Sequence, residues 1–217
     1  MDEKALEEFW NNKRPKNVIG YTGRAIPKKN TLSEGVVLKE RVQIDVKTMV
    51  CSNDAFLQKI ITNHSLKGSS HDETISNIQK WVVQNISYLG DDINNYTMEY
   101  WQFPFETLAD KNGDCEDGSL LIASLALNCG IPSFRLRINA GMVQEAPTAP
   151  QGGHAYVSYL RESDNQWVVI DWCYFEDSAV PISSKVLHKD NQYYKNVIFS
   201  FNDKFSWADQ PFDFQSF

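Results

Sequence analysis

The 217-residue chain lacks several features that would place it in common protein classes. It has no Cys-x-x-Cys pair, and its four cysteines are too few and too scattered for a disulfide framework. No apolar run approaches the roughly 20 residues of a membrane-spanning helix. The acidic first residues contain no apolar core of a secretory signal. These absences favour a cytoplasmic protein with free thiols and no membrane contact.

Positive charge is scarce beyond the N-terminal quarter of the chain. Residues 1–50 carry 10 Lys and Arg against 7 Asp and Glu, whereas residues 51–217 carry 11 against 21. So acidic a body argues against nucleic acid as a partner. The basic arm is expected to dock on the acidic body or on another protein. A hydrophobic content of 42% and six tryptophans predict an ordered globular core.

The central stretch of the sequence predicts a buried helix that begins beside a cysteine. Asn112-Gly113 is a turn signal, Asp114 can cap a helix, and Gly130 with Pro132 would end it. The residues between are apolar nearly all round, as in a helix inside a domain. Unpaired N–H groups and the positive dipole end favour a thiolate at such a position. The pattern therefore marks Cys115 as a candidate nucleophile.

Two predicted strands further along the chain carry a histidine and an aspartate. They cover residues 154–160 and 165–172 and are joined by four residues. A tight hairpin of that length would place His154 directly opposite Asp171, with Cβ atoms about 4.5–5.5 Å apart. An aspartate within an apolar segment is costly to bury without a partner. We therefore expect an imidazole–carboxylate hydrogen bond.

Cysteine attack on an acyl carbon needs a thiolate, a proton carrier and a group that orients the carrier. Cys115, His154 and Asp171 supply these three types of side chain. Each alone has a simpler explanation, as a small buried residue, a strand-edge histidine or a strand-end carboxylate. The combination favours a catalytic triad.

Three short blocks now show a resemblance. Gly-Asp-Cys-Glu-Asp-Gly, Gly-Gly-His-Ala-Tyr-Val and Trp-Val-Val-Ile-Asp resemble the signature blocks of the transglutaminase-like superfamily, over about residues 70–175. The resemblance implies an α+β, papain-like core, in which N-terminal helices and the catalytic cysteine helix pack on an antiparallel sheet. It also implies a Cys-His-Asp triad at Cys115, His154 and Asp171.

The family resemblance implies an acyl-thioester step but leaves the substrate open. The leading hypothesis is a cysteine peptidase or amidase that cleaves protein or peptide amide bonds and requires no cofactor. One alternative is a protein cross-linking transglutaminase. Another is a binding or structural subunit of a larger assembly, such as a virion, joined through the N-terminal arm or the C-terminal tail.

Two further groups of residues surround the predicted nucleophile. The Cys115 N–H is expected to bind the oxyanion, with Trp101 or Gln102 as a second donor, although core packing explains Trp101 equally well. The acidic neighbours of Cys115 are Asp114, Glu116 and Asp117. Helix capping is their simpler role. Calcium binding is the alternative, implied by the resemblance to calcium-dependent bacterial members of the superfamily. Zinc is not expected, because the other histidines show no ligand spacing.

The sequence divides into three predicted regions. An N-terminal arm covers residues 1–50, with a short helix at 1–10, irregular chain at 11–35 and a short strand within 36–46. A transglutaminase-like catalytic domain covers residues 51–180. An aromatic-rich extension at 181–217 is expected to pack on the domain or on a partner.

Overall fold

The computed structural model describes residues 2–12, 21–28, 38–94 and 99–208. Its helices are α1 (Glu3–Asn12), α2 (Ala55–Asn63), α3 (His71–Asn85), α4 (Asp91–Asn94), α5 (Pro104–Asp110) and α6 (Cys115–Asn128). Its strands are β1 (Tyr21–Lys28), β2 (Leu38–Asp45), β3 (Ser87–Tyr88), β4 (Asn112–Gly113), β5 (Leu136–Val143), β6 (Gly152–Leu160), β7 (Trp167–Ile170), β8 (Tyr194–Phe201) and β9 (Ser206–Ala208). Among the described residues, no helix combines the length and apolar character needed to cross a membrane.

The architecture is α+β with a papain-like core, as the sequence predicted. Strands β7-β6-β5-β8-β9 form an antiparallel sheet in that order. Helix α6 packs against β5 and β6 and is covered in turn by α2, α3 and α5. Nearly every side chain of α6 is buried, which matches its lack of a polar face. The cysteine helix is therefore the centre of the core.

Local sequence signals fix both ends of α6. At its start, the Asp117 carboxylate accepts a hydrogen bond from the Asp114 N–H at 3.1 Å. At its end, Gly130 adopts φ +97°, a left-handed conformation that glycine enters without strain. A Cβ on Gly118 would overlap the Trp172 indole, so only glycine allows this tryptophan to pack on the helix. The indole N–H donates to the Cys115 carbonyl at 3.3 Å.

The β6–β7 hairpin forms in a different register from the predicted one. Leu160 pairs with Trp167, two positions beyond the expected partner, and the loop occupies residues 162–165. Asn165 takes φ 55°, which asparagine tolerates better than most residues, and Asp72 accepts the N–H groups of the first two loop residues. A slip of two positions keeps every side chain on its face of the sheet. Asp171 therefore still shares a face with residue 154.

Helix α1 covers part of the sheet face opposite α6. Leu6 packs with Phe134 and Leu160, beside Trp10 and Trp167. The prediction of irregular chain over 11–35 is wrong for residues 21–28, which form an antiparallel ribbon with β2. The sequence of residues 21–28 shows little of the apolar–polar alternation that predicts a strand, because it contains Gly, Arg, Pro and Lys.

The C-terminal aromatic residues divide into two groups. Phe199, Phe201 and Trp207 are fully buried on strands β8 and β9 of the sheet. These aromatics therefore belong to the core of the chain itself. Three more, Phe212, Phe214 and Phe217, lie outside the described residues.

Candidate active site

A hydrogen-bonded pair of a histidine and an aspartate lies at the end of the β6–β7 hairpin. His154 Nε2 is 2.7 Å from Asp171 Oδ2, and both side chains are almost completely buried. The Tyr194 hydroxyl donates to the same oxygen at 2.6 Å. The other oxygen accepts N–H groups of Trp172 at 2.7 Å and Cys173 at 3.1 Å. The sequence prediction of this pair agrees with the geometry, although the register that led to it was wrong.

These contacts keep Asp171 ionised inside the protein. Burial by itself raises the pKa of a carboxyl group. The hydrogen bond and charge of His154, together with hydrogen bonds from Tyr194 and the backbone, outweigh burial and lower the pKa of Asp171. A carboxylate so held can orient an imidazole and stabilise its cation.

Cys115 begins α6 next to the strand that carries His154. The Ser119 hydroxyl bridges the Cys115 carbonyl at 2.7 Å and the Ala155 carbonyl at 3.2 Å, which ties the first turn of the helix to β6. The thiol hydrogen-bonds to Glu116 Oε2 at 3.2 Å. The described residues show no hydrogen bond between Cys115 and His154. The structure therefore brings the helix and strand together but leaves the thiol turned toward a carboxylate.

The expectation of an intrinsically stabilised thiolate at Cys115 is wrong for this arrangement. Burial is the main factor that raises the pKa of the thiol, and the negative charge of Asp114 raises it further. A hydrogen bond from the Ala155 backbone acts in the opposite direction but is outweighed. Sequence reasoning considered the helix dipole and omitted the desolvation of the thiol by the residues packed around it.

Five carboxylates lie close together around the start of α6. Carboxylate oxygens of Asp91, Asp114 and Asp117 lie within 4.8 Å of one another. The same holds for carboxylate oxygens of Asp91, Glu99 and Glu116. The sequence identified three of these residues and missed Asp91 and Glu99. The missed pair comes from α4 and from the loop after it, which the fold brings to the cysteine turn. Their only sequence signal was a polar segment at 91–100, in which three of ten residues are acidic.

The cluster has the properties of a site for a hard cation. Burial and the charges of Asp91 and Glu99 raise the pKa of Asp114 to about 7, and burial also raises the pKa of Glu116. Asp114 Oδ1 and Glu116 Oε1 are buried and accept no hydrogen bond from a described residue. Asp117 differs, because its two carboxylate oxygens accept hydrogen bonds from the backbone N–H groups of Gln102 and Asp114. The residues present therefore fit a calcium ion, which prefers carboxylate oxygens.

The two candidate oxyanion donors have different surroundings. Trp101 is 3% exposed, stacks on Phe201 at 6.0 Å between ring centroids, and donates its indole N–H to Glu99. This agrees with the core-packing explanation of Trp101. Gln102 is fully buried, and neither polar atom of its side chain has a hydrogen-bond partner among the described residues. A buried amide without a partner is unusual and points to a ligand group that it receives.

Sequence reasoning also missed Tyr194 and Cys173. Tyr194 lies on β8, far from the signature blocks, and reaches Asp171 through the fold. Cys173 lies within 4.8 Å of both His154 and Asp171, measured between possible ligand atoms. With the observed hairpin register, position 173 rather than 171 would be opposite His154. The register error therefore concealed this second thiol.

Comparisons with known proteins give one family and one recurrent fold. Residues 44–197 match the family described as transglutaminase-like domain. UPF0252 protein MJ1282 of Methanocaldococcus jannaschii is 31% identical over 114 residues, which cover 50% of this chain and 31% of the relative. The chain thus spans about a third of the length of this curated relative.

Solved structures of Legionella pneumophila LapG resemble this chain. A calcium-bound form superposes with a TM-score of 0.52 at 21% identity, covering 71% of this chain and 75% of LapG. A second LapG structure covers 76% of this chain and 86% of LapG with the same TM-score. At this level of identity the likeness shows a shared fold.

Proposed function

This chain belongs to the transglutaminase-like domain family, and on that premise we propose that it is a cysteine hydrolase that cleaves amide bonds of proteins or peptides. The observation that carries the proposal is the buried His154–Asp171–Tyr194 relay beside the helix that starts with Cys115. A histidine oriented by an ionised carboxylate next to a thiol is the arrangement that acyl transfer to sulfur requires.

The reaction begins when the Cys115 thiol turns from Glu116 to His154. His154 accepts the thiol proton, and the sulfur attacks the carbonyl carbon of the scissile amide. His154 then gives the proton to the leaving amine, and the C–N bond breaks to leave a thioester. Water, deprotonated by His154, releases the acid and restores the thiol. Asp171 stabilises the imidazolium in both halves of the cycle.

Two donors are proposed for the oxyanion. The Cys115 backbone N–H lies at the helix start, where it has no partner within the helix. The Gln102 side chain is the second donor, since its amide is buried and has no partner among the described residues. Pre-positioned donors of this kind stabilise the charge that develops on the carbonyl oxygen. Trp101 is not proposed for this role, because its indole is bound to Glu99.

Calcium is proposed as a bound ion at the carboxylates around Cys115. Asp91, Glu99, Asp114 and Glu116 would hold it, with Asp117 bracing the turn through the Gln102 and Asp114 N–H groups. When bound, calcium supplies positive charge that offsets the carboxylates beside the thiol.

A trapping experiment tests the proposed function. The wild type and Cys115→Ala are each incubated with a library of peptide amides, and intact mass is measured after acid quench. We expect cleavage products and a Cys115-linked acyl adduct with the wild type only, while circular dichroism of the variant stays unchanged. Full turnover by Cys115→Ala would refute the proposal.

A further inference from the structure

A histidine, an aspartate and a cysteine come together at the end of the β6–β7 hairpin. Ligand atoms of His154, Asp171 and Cys173 all lie within 4.8 Å of one another. The Cys173 sulfur is 3.8 Å from Asp171 Oδ1, and His154 Nε2 is 2.7 Å from Asp171 Oδ2. From this geometry we propose that these three side chains form a binding site for zinc, and that the bound ion holds the hydrolase inactive.

The ligand types select zinc over calcium. A thiolate, an imidazole and one carboxylate are the ligands that zinc takes in proteins, at about 2.0–2.3 Å. Calcium prefers six to eight oxygen ligands, which this group does not provide. Two metals of different preference are thus matched to two different sets of residues.

The distances allow one ion to be shared by small side-chain rotations. Two ligand atoms on one zinc ion are at most about 4.3 Å apart, twice the ligand distance. The sulfur lies 3.8 Å from Asp171 Oδ1 and the ring nitrogen lies 2.7 Å from Asp171 Oδ2. One ligand atom from each residue lies within 4.8 Å of the other two, so side-chain rotation has to shorten the longest separation by at most about 0.5 Å. The backbone N–H groups that hold Asp171 Oδ1 keep the carboxylate in place.

Charge is balanced at this buried position. His154 is 8% exposed and Asp171 is 1% exposed, so an uncompensated ion would be costly there. Cys173 binds as a thiolate after it releases its proton to solvent, and Asp171 is already ionised. The two anions neutralise Zn²⁺, while His154 binds as a neutral ring. Water occupies the fourth position.

Bound zinc would stop the proposed reaction directly. The lone pair that His154 uses to accept the Cys115 proton, or the hydrogen bond that orients the ring, is taken by the ion. This consequence rests on the proposed function, whereas binding of the ion does not. Zinc would therefore act as a reversible inhibitor that competes with the proton on His154.

The test compares two single-thiol variants of the full chain, Cys173→Ser and Cys115→Ser, with the wild type. Zinc affinity is measured by competition with a chromophoric chelator in calcium-containing buffer, which fills oxygen-only sites. We expect one zinc ion per chain with Kd below about 1 µM for the wild type and Cys115→Ser. We expect Cys173→Ser to bind zinc at least about 100-fold more weakly. Removing a residue that only hydrogen-bonds to a metal ligand lowers metal affinity about 10–100-fold, and removing a ligand itself should lower it more.

Cobalt provides a second readout that reports the ligand atom. Co²⁺ bound to the wild type and to Cys115→Ser should show a sulfur-to-metal charge-transfer band, which Cys173→Ser and Cys173→Ala should both lack. Metal-free melting temperatures check that each variant is folded. Unchanged zinc affinity in Cys173→Ser, or loss of binding in Cys115→Ser, would overturn the proposal, and the second result would assign the ion to Asp114, Cys115 and Glu116.

Catalysis is measured separately. Zinc should inhibit wild-type cleavage at concentrations near the measured Kd, and inhibition of Cys173→Ser, relative to its own zinc-free rate, should need at least about 100-fold more zinc. Failure of the proposed function would remove the cleavage signal but leave the affinity and cobalt results intact. Failure of the zinc proposal would leave cleavage intact but remove the dependence on Cys173.

Discussion

At the residue scale, the pairing of His154 with Asp171 could be predicted and the state of Cys115 could not. A buried aspartate in an apolar strand requires a partner. His154 and Asp171 share a face of the hairpin both in the predicted register and in the observed one, which differs by two residues. The pKa of the Cys115 thiol is raised first by desolvation and then by the charge of Asp114. Those quantities follow from packing and are not encoded in local sequence.

Tyr194 is a positioning residue in this account. Its hydroxyl donates to Asp171 Oδ2 at 2.6 Å and so fixes the oxygen that orients His154. Tyr194→Phe should lower kcat about tenfold with little change in KM, since about 1.4 kcal/mol corresponds to a factor of ten and a hydrogen bond to a charge contributes about 1.5–3 kcal/mol.

The matched control for this variant is Tyr156→Phe. The Tyr156 hydroxyl pairs with His188 Nε2 at 3.0 Å, and its ring lies 6.1 Å from the His154 ring between centroids. Steady-state kinetics should therefore separate the two variants. Equal losses of kcat would show that Tyr194 acts only through packing.

At the element scale, helix α6 was predictable from capping and composition, whereas the hairpin loop was not. Asn112-Gly113, Asp114 and Gly130 mark the ends of α6 locally. The loop after β6 is held from a distance by Asp72, whose oxygens accept the N–H groups of Glu162 at 2.7 Å and Ser163 at 3.2 Å. A contact across 90 residues leaves no signal in the loop sequence itself.

Asp72 should make stability depend on pH. Burial raises its pKa, but hydrogen bonds from Tyr159, Glu162 and Ser163 lower it below the usual value. The stabilisation is therefore present above about pH 4, the unfolded value, and is lost as pH falls through the lower folded pKa. The melting-temperature gap between the wild type and Asp72→Asn should shrink on acidification below pH about 4.

Asp110→Asn is the control, because Asp110 is an exposed carboxylate at the end of α5. Its melting temperature should follow the wild type throughout the titration. A gap for Asp72→Asn that stays constant from neutral to acidic pH would contradict the role assigned to these hydrogen bonds.

The contact between α6 and the residue after Asp171 gives a second test at this scale. A Cβ at Gly118 would overlap the Trp172 indole, which donates to the Cys115 carbonyl. Gly118→Ala should destabilise by about 1–3 kcal/mol despite a better helix propensity. Gly152→Ala places its Cβ in open space and should cost much less. Similar urea midpoints for both variants would contradict this packing.

At the scale of the whole molecule, family and fold class were readable because three blocks, each weak alone, occur in one order. The blocks lie on the helix and strands that form the core, so the resemblance of the blocks to the family also predicted the arrangement of these elements. Strand β1, the contribution of β8 to the site and the additional carboxylates were not readable, whereas β2 falls within the strand predicted at 36–46. Each arises where segments distant in sequence meet.

Calcium should stabilise the folded protein as a whole. A ligand at 100 times its Kd adds about 2.7 kcal/mol to the free energy of unfolding. Calorimetry should show a rise in melting temperature with added calcium that Asp114→Asn largely removes. Asp92→Asn, an exposed neighbour of Asp91, should retain the rise. An equal response of both variants would place any calcium elsewhere.

The central claim is that one thiol of four is activated by its histidine neighbour. The most direct measurement is labelling with a thiol-reactive electrophile at neutral pH in calcium, followed by peptide mapping of the modified cysteine. We predict rapid modification of Cys115, with Cys51, Cys129 and Cys173 spared, and a large loss of rate in His154→Ala. Modification of another cysteine at the same rate, or an unchanged rate in His154→Ala, would contradict the account.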